Sequence, residues 1–228
     1  MKVHKIVNLI AFENTYILEN DRHVIVVDPG SDWRKIQRKL EEIAKPITAI
    51  LLTHTHYDHI MSLDKVRDNF ANPPVYVAES EASWLYTPTD NLSGLDRHAD
   101  LEDVILRPAE HYFTYHQDYQ LDDFHFYAVQ TPGHSIGGVS IIFPEEQVVL
   151  TGDALFRETI GRTDLPTGNI DQLLTGIREE LFVLPKDIAS IPAMEMTQRL
   201  VTKRISIHFS NKLIMRQKSI LPQFLSTK

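Results

Sequence analysis

The chain has 228 residues, of which 43% are hydrophobic and 24% charged, and its formal net charge is −8. These values are ordinary for a globular protein. No apolar run approaches the length of a membrane span, and the acidic balance argues against general affinity for nucleic acid. We therefore expect the protein to bind neither a membrane nor a nucleic acid. The absence of cysteine excludes disulfides and thiolate ligands. The N-terminus lacks the pattern of a signal peptide, so we expect a cytoplasmic protein.

The first part of the chain predicts strands followed by a helix. Three β-rich segments precede a turn at residues 28–30, and Ser31 is the predicted N-cap of a helix over residues 31–44. Residues 47–53, ITAILLT, are almost wholly apolar, as expected of a strand buried on both faces. The three earlier strands are predicted over residues 3–8, 14–19 and 23–28.

The second part of the chain repeats this order. A helix over 62–70 and a strand over 74–78 lead into a polar loop over 87–103. Alternating and apolar segments then predict four strands, over residues 111–116, 123–129, 139–143 and 147–153. A final helix is predicted over residues 171–184. Strands with interspersed helices, twice over, predict two sheets with helices outside them.

A dense group of polar side chains follows the apolar run, where residues 51–60 read LLTHTHYDHI. His nitrogen and Asp oxygen are ligands for zinc and other divalent first-row metals. A loop that leaves a buried strand can direct several side chains towards one point, so His54 and His56 can reach one ion. Asp58 and His59 can reach a second ion nearby. This spacing favours a metal site over a surface loop that happens to be rich in histidine.

Two further candidate ligands stand at strand ends. His134 lies in TPGHS, where Pro132 and Gly133 tighten the chain, and Asp153 lies in VVLTGD directly after an apolar strand. Alone, His134 is equally consistent with a turn histidine, and Asp153 is more typical of a helix N-cap. Together with the cluster, both residues favour ligation, and an aspartate between two cations can bridge them.

The motifs THTHYDH, TPGHS and TGDALF, in this order and spacing, resemble those of the metallo-β-lactamase-fold hydrolases. The stretch GRTDLPTG resembles the short glyoxalase II-like (hydroxyacylglutathione hydrolase-like) branch. The resemblance covers residues 1 to about 188. It implies an α/β (α+β) fold, the αββα four-layer sandwich, with a binuclear metal site between the sheet edges.

The resemblance also implies a role for each candidate residue. It implies two divalent metal ions, zinc in the usual pattern with iron or manganese left open, because His and Asp ligands do not set the identity of the metal. The first ion would be held by His54, His56 and His134, the second by Asp58 and His59, and both by a bridging Asp153. Arg162 matches a basic residue that contacts a carboxylate of glutathione, and a solvated loop arginine is an equal alternative.

By the same resemblance, the chain is a metal-dependent hydrolase of the glyoxalase II type that cleaves a small-molecule thioester such as S-2-hydroxyacylglutathione. A metal-bound hydroxide would attack the carbonyl, and Asp58 would orient it. One alternative is an iron-dependent persulfide dioxygenase of the same fold, with a single Fe(II) held by His54, His134 and Asp153. Another is an inactive product of a frameshifted gene. Hydrolysis of β-lactams is disfavoured because no signal peptide is apparent.

The last forty residues differ in composition from the rest. Residues 189–228 hold seven Lys or Arg and a single acid, Glu195, and all nine glycines of the chain lie at or before Gly176. The PGHG motif of the family, whose histidine completes the second metal site, is missing from this part. When the codons of Ser190 to Thr197 are read one base out of register, they can encode Y-P-G-H-G-N-D, which resembles the family ending.

We therefore predict a metallo-β-lactamase-like catalytic domain over residues 1–188 and an atypical, frameshifted tail over 189–228. The hypothesis places a missing base, or two added bases, near the codons for Asp187 to Ala189, and a divergent tail is the alternative. As written, the second metal site lacks a ligand and is weakened. We do not expect His208 to replace that ligand, and we expect poor packing from about residue 193 onward.

Overall fold

The computed structural model describes residues 1–96, 101–157, 159–185 and 187–193. Six strands form the first sheet: β1 (Lys2–Val7), β2 (Asn14–Glu19), β3 (Val24–Val27), β4 (Ile47–Leu51), β5 (Val75–Val77) and β6 (His111–Tyr112). They are arranged in sequence order, with β1 to β3 antiparallel and β3 to β6 parallel. Parallel pairing places the carboxyl ends of β3, β4 and β5 at one edge of this sheet.

In the described part of the chain, the second sheet contains five strands: β7 (Tyr119–Leu121), β8 (Phe124–Gln130), β9 (Val139–Phe143), β10 (Val148–Gly152) and β13 (Ala189–Pro192). Their order is β13-β10-β9-β8-β7, and only β13 pairs in parallel, with β10. Between β10 and β13 in the chain, β11 (Leu155–Phe156) and β12 (Thr159–Ile160) form a small antiparallel ribbon.

Helices cover the outer face of each sheet. They are α1 (Trp33–Ile43), α2 (Tyr57–Ile60), α3 (Leu63–Asn69) and α4 (Ile170–Gly176), which continues into a π-helical turn (Ile177–Leu181), together with a 3₁₀ helix (Glu79–Tyr86). Ile36 of α1 and Leu63 of α3 pack in one core with the first sheet, and Leu173 of α4 packs in another with the second sheet.

A third core lies between the two sheets, where Leu51 of the first sheet shares a cluster with Phe126 and Ile141 of the second. Strand β3 shows how one apolar run serves two cores. Ile25 faces this inter-sheet core, whereas Val26 belongs to the core under the helices. Because successive side chains of a strand point to opposite faces, a strand buried on both faces has to be apolar throughout. The layers therefore follow the predicted αββα order.

Several local boundaries differ from the predicted ones. Helix α1 begins at Trp33 after Asp32, and Ser31 does not cap it, because the hydroxyl of Ser31 accepts a hydrogen bond from the backbone N–H of Ile10 at 3.2 Å. The strand predicted over 111–116 is shorter, since His116 has a φ of 60° and the chain turns there. The 3₁₀ helix after β5 was not predicted.

Strand β13 begins directly after the predicted domain boundary at residue 188. It pairs with β10, and the hydroxyl of Tyr16 donates a hydrogen bond to the carbonyl of Pro192 at 2.7 Å. Residues 189–192 are therefore part of the second sheet. Residues 194–228 of the predicted tail, with His208 and the poor packing expected there, lie outside the described residues. None of the described helices combines the length and apolar character needed to cross a membrane.

The two sheets meet at the edge where the candidate ligands lie. Strand β4 ends at Leu51, shortly before His54, and β10 ends at Gly152, directly before Asp153. At this edge the carbonyl of Thr53 accepts a hydrogen bond from the N–H of Val139, the first residue of β9, at 2.9 Å. The loop that carries the histidine cluster is thereby joined to the second sheet.

Candidate metal centre

The loop after β4 and the short helix α2 that follows it bury all four candidate ligands of the THTHYDH motif. His54, His56 and His59 are at most 3% exposed, and Asp58 is 8% exposed. The loop ends in α2, whose first residue Tyr57 donates its N–H to a neighbouring loop. Imidazole and carboxylate groups are costly to bury without partners, so their concentration in one buried loop indicates a site built for a ligand.

The first group of ligand atoms comes from both sheets. His54 and His56 lie in the loop after β4, and His134 lies in the loop between β8 and β9. One ring nitrogen of each lies within 4.8 Å of the others, and His56 Nδ1 is 3.0 Å from His134 Nε2. His134 Nδ1 donates a hydrogen bond to the carbonyl of Arg162 at 2.9 Å, so its Nε2 is the nitrogen directed at the group.

The second group shares a residue with the first. His54, His59 and Asp153 bring one ligand atom each within 4.8 Å of one another. Asp58 lies at the same place, with Oδ2 3.8 Å from His59 Nε2. Asp153 stands between the two groups, because its Oδ1 is 3.7 Å from His59 Nε2 and its Oδ2 is 3.4 Å from His134 Nε2.

The site passes a simple test of fit for divalent cations. His54 Nε2, His59 Nε2 and Asp153 Oδ1 are buried and have no hydrogen-bond partner among the described residues. Each such atom costs about 1–3 kcal/mol when it is left unsatisfied. A cation that accepts these lone pairs removes that cost, and the donor set of His and Asp suits first-row divalent metals. The residues present therefore fit the metal ions that the motifs predict.

The buried environment shifts the pKa values of the candidate ligands in different directions. Burial lowers the pKa of His54 well below its usual value and lowers the pKa of His134 to about 4, so both rings are neutral, the form that binds metal. Burial also disfavours charge on His59, but nearby carboxylates, Asp58 foremost, outweigh it and raise the pKa of His59 well above its usual value. Burial raises the pKa of Asp153 to about 7.

Two buried carboxylates beside His59 were not predicted as site residues from the sequence. Asp28 was predicted only as the end of a strand and the start of a turn. Its buried carboxylate accepts hydrogen bonds from His59 Nδ1 at 3.1 Å and from the N–H and hydroxyl of Thr53 at 2.8 and 2.6 Å. Glu13, which is also fully buried, has a carboxylate oxygen within 4.8 Å of ligand-type atoms of Asp28 and His59. A usable signal was present, because Asp28 follows an apolar strand directly, as Asp153 does.

The backbone of Arg162 lies beside the site, whereas its side chain does not. Its carbonyl orients His134, whereas its guanidinium projects outward with 57% of the side chain exposed. The guanidinium pairs with Asp164 through two contacts of 2.7 Å. The predicted contact with a substrate carboxylate therefore stays a prediction, and the backbone contact is a role that the sequence did not indicate.

Comparison with known proteins identifies the family. The chain matches the model of the metallo-beta-lactamase superfamily over residues 11–192. It is 60% identical over 192 residues to a probable metallo-hydrolase of Streptococcus pyogenes, covering 84% of this chain and 83% of the relative. A probable metallo-hydrolase of Bacillus subtilis is 40% identical over 173 residues, which is 76% of this chain and 80% of that protein. The chain belongs to the metallo-beta-lactamase superfamily.

More distant similarities bear on the finer prediction. A hydroxyacylglutathione hydrolase of Haemophilus influenzae is 27% identical over 190 residues, covering 82% of this chain and 88% of the relative. The crystal structure of the B3 metallo-beta-lactamase BLEG-1 superposes with a TM-score of 0.79 at 34% identity, covering 86% and 92% of the two chains. The crystal structure of TTHA1623 in a di-iron-bound form superposes with a TM-score of 0.71 at 27% identity, covering 85% of this chain and 93% of that chain. The predicted fold and the coarser class, a metallo-hydrolase, are confirmed.

Proposed function

We propose that the chain is a thioester hydrolase of the glyoxalase II type, acting on a small-molecule thioester such as S-2-hydroxyacylglutathione. The observation that carries the proposal is the position of Asp153, whose two oxygens face His59 and His134 at 3.7 and 3.4 Å. A carboxylate between two groups of ligands supports a pair of divalent ions, zinc with iron or manganese as alternatives. The similarity to a hydroxyacylglutathione hydrolase supports the thioester as substrate.

The chain supplies orientation, and the ions supply electrophilic chemistry. When bound, a pair of divalent ions polarises a carbonyl and lowers the pKa of water. In this proposal Asp58 accepts a hydrogen bond from water at the site. Its Oδ2 lies 3.8 Å from His59 Nε2 and the residue is 8% exposed, which supports this role. Holding water against the carbonyl in this way removes part of the entropic barrier. A thiolate leaves without strong general-acid assistance, so the site does not require a dedicated proton donor.

The experiment is a hydrolysis assay on protein loaded with zinc, manganese or iron. We expect loss of thioester absorbance with S-2-hydroxyacylglutathione, and we expect the rate to fall by about 10²-fold or more in Asp58→Asn. Asp32→Asn, which changes a carboxylate at the start of α1, is the matched control and is expected to retain the rate. Hydrolysis of a β-lactam with no thioester turnover would contradict the proposal.

The dioxygenase alternative rests on a specific set of contacts. His54, His134 and Asp153 adjoin one another, with Asp153 Oδ2 3.4 Å from His134 Nε2, and two histidines with one carboxylate suit a single Fe(II) with open positions. Oxygen consumption by the iron-loaded protein with glutathione persulfide separates the two reactions. We expect no consumption, and uptake of oxygen coupled to persulfide oxidation would favour the dioxygenase over the hydrolase.

We also propose that the second metal site of this chain lacks one ligand because of a shift in reading frame. Ala193 ends the described chain beside the site, where its N–H donates to the carbonyl of Gly152 at 3.1 Å and its carbonyl accepts from Asn14 at 2.6 Å. The shifted frame can encode the family histidine at the junction of the codons for Ala193 and Met194. The family match ends at residue 192, which supports the proposal.

Resequencing the gene across the codons for Leu184 to Met196 tests the frameshift. A restored base would give a chain that ends in the family pattern, and that chain should then be assayed as a binuclear thioesterase. Unchanged bases would establish a divergent tail and contradict the frameshift. The present chain keeps six of the ligands but has a weakened second metal site, so an absence of thioester turnover contradicts the hydrolase only when it is found with the restored chain as well.

A further inference from the structure

We propose that Glu81 is the positioning residue of the first metal site, where it ties together the two loops that supply the histidines. Glu81 lies on the 3₁₀ helix Glu79–Tyr86, outside every motif of the family pattern, and is completely buried. The inference rests on the metal centre of the proposed function and is independent of its substrate.

The carboxylate of Glu81 has one oxygen on each loop. Its Oε2 accepts hydrogen bonds from the N–H and the hydroxyl of Thr55, at 2.8 and 3.1 Å. Its Oε1 accepts from the N–H of Gly137 at 2.6 Å. Thr55 stands between the two histidines of the first loop, and Gly137 follows His134 by three residues. One side chain therefore sets the separation of the two loops that form the first group of ligands.

The bridge between the two loops requires a hydrogen-bond acceptor at each of the two carboxylate oxygens of Glu81. All the donors that face Glu81 in these bonds are N–H or O–H groups, so only a carboxylate satisfies both loops. A glutamine would direct its NH₂ group at the N–H of Thr55 or of Gly137, leaving a buried donor unpaired at a cost of about 1–3 kcal/mol. Burial raises the pKa of Glu81 despite its hydrogen bonds, which shows how strongly the group is withdrawn from water.

The close approach of the helix to the second loop depends on a glycine. A Cβ atom built on Gly137 would lie 2.7 Å from Cγ of Glu81 and 2.7 Å from Oγ of Ser80. These distances are shorter than real Cβ contacts, so any other residue at position 137 would displace the side chain of Glu81 or the helix that carries it. Gly137 and Glu81 thus form a matched pair, in which the missing side chain of one allows the short hydrogen bond of the other.

The same face of the 3₁₀ helix also contacts His56, one of the candidate metal ligands. Residues three apart in a 3₁₀ helix lie above one another, so Trp84 projects to the same side as Glu81. The ring of Trp84 stacks on the ring of His56, with centroids 6.0 Å apart and an interplanar angle of 22°. The helix therefore holds the two histidine loops together through Glu81 and limits the rotation of His56 through Trp84.

Binding of Co(II) alone tests the proposal, with affinity and visible absorption as readouts that do not depend on turnover. Metal-free wild type and Glu81→Gln are titrated with Co(II) in competition with a chelator. We expect Glu81→Gln to weaken the tighter Co(II) site by about 10–100-fold, as removal of outer-shell support commonly does. We also expect its ligand-field spectrum to change, because the histidine geometry changes.

Two matched variants separate positioning from general stability. Glu79→Gln alters an exposed carboxylate on the same helix, and Glu110→Gln removes an acceptor from buried Arg67 and from the N–H of Val75 at the far end of β5. Both should keep the Co(II) affinity and spectrum of the wild type, even though Glu110→Gln lowers the melting temperature. If Glu81→Gln lowers only the melting temperature and binds Co(II) as the wild type does, Glu81 is merely structural and the proposal is wrong.

A second variant covers the case in which Glu81→Gln does not fold. Thr55→Val removes one of the donors to Glu81 while preserving side-chain shape, and we expect a smaller loss of Co(II) affinity in the same direction. Unchanged affinity in Thr55→Val would then contradict the proposal. A wild type that binds no Co(II) would contradict the metal centre and this inference together, whereas equal binding by wild type and variants would contradict the inference alone.

Discussion

His59 Nδ1 lies 3.1 Å from Oδ2 of Asp28, so the other ring nitrogen of His59 is the one that faces Asp153. The carboxylate of Asp28 also accepts two hydrogen bonds from Thr53. The carbonyl of Thr53 in turn accepts a hydrogen bond from the N–H of Val139 in the second sheet. Asp28 therefore sets both the tautomer of a ligand and the start of the loop that carries the other histidines. Carboxylate–histidine–metal arrangements of this kind orient the ligand and raise its basicity.

Replacing Asp28 by Asn should weaken metal binding without unfolding the protein. Asn is isosteric and tolerates the left-handed backbone of Asp28, whose φ is 48°. It cannot serve as the charged acceptor for His59, so we expect about 10–100-fold weaker Zn(II) binding at the second site in a chelator competition. Asp32→Asn is the control. Equal Zn(II) affinity in wild type and Asp28→Asn would show that Asp28 supports only the backbone.

Metal content should distinguish the two sites in the chain as recorded. The first site has three buried histidines, whereas the second is predicted to lack the ligand that the family pattern places in the tail. After extensive dialysis we expect one firmly bound ion per chain by elemental analysis. His134→Ala should lose that ion, and His59→Ala should retain it. Two firmly bound ions in the wild type would contradict the weakened second site.

Arg162→Ala should affect substrate binding more than stability. The pair with Asp164 is exposed and contributes little to folding, so the melting temperature should stay within error. Loss of a charge-assisted hydrogen bond to a substrate carboxylate corresponds to about a tenfold or larger increase in KM. A thioester of a thiol without carboxylates is the control substrate, and its KM should not change. If the KM for the carboxylate-bearing thioester is the same in wild type and in Arg162→Ala, Arg162 does not contact the substrate.

Glu19→Gln should alter the acid stability of the fold. The side chains of Lys45 and His4 contact Glu19 at 2.7 and 2.6 Å and lower its pKa to about 2, below an unfolded value of about 4.3. The stability that this depression contributes is complete above about pH 5 and is lost as the pH falls towards about 2. Urea unfolding should show Glu19→Gln less stable than wild type at neutral pH, with the difference shrinking below about pH 4.5. A difference that does not vary with pH would contradict the assignment.

Much of the fold and the ligand set could be predicted from local sequence. The apolar runs of β3, β4 and β10 identify strands buried on both faces because each has to satisfy two cores. His54, His56, Asp58 and His59 are recognisable because their spacing within one loop is itself the metal signal. His134 and Asp153 were ambiguous alone and became interpretable with the cluster, since strand ends at one sheet edge bring their loops together.

Only the tertiary structure decided which residues hold those ligands in place. Glu81 contacts Thr55 and Gly137, which are 26 and 56 positions away in the chain, and Asp28 contacts Thr53 and His59 across a parallel strand pair. No local pattern marks a helical glutamate such as Glu81 as a partner of a distant N–H group. The position of Asp28 directly after an apolar strand indicates a candidate site residue, but it does not identify the groups that Asp28 contacts. Ligand chemistry depends on residue type and short spacing, whereas positioning depends on which loops the packing of the sheets brings within hydrogen-bond distance.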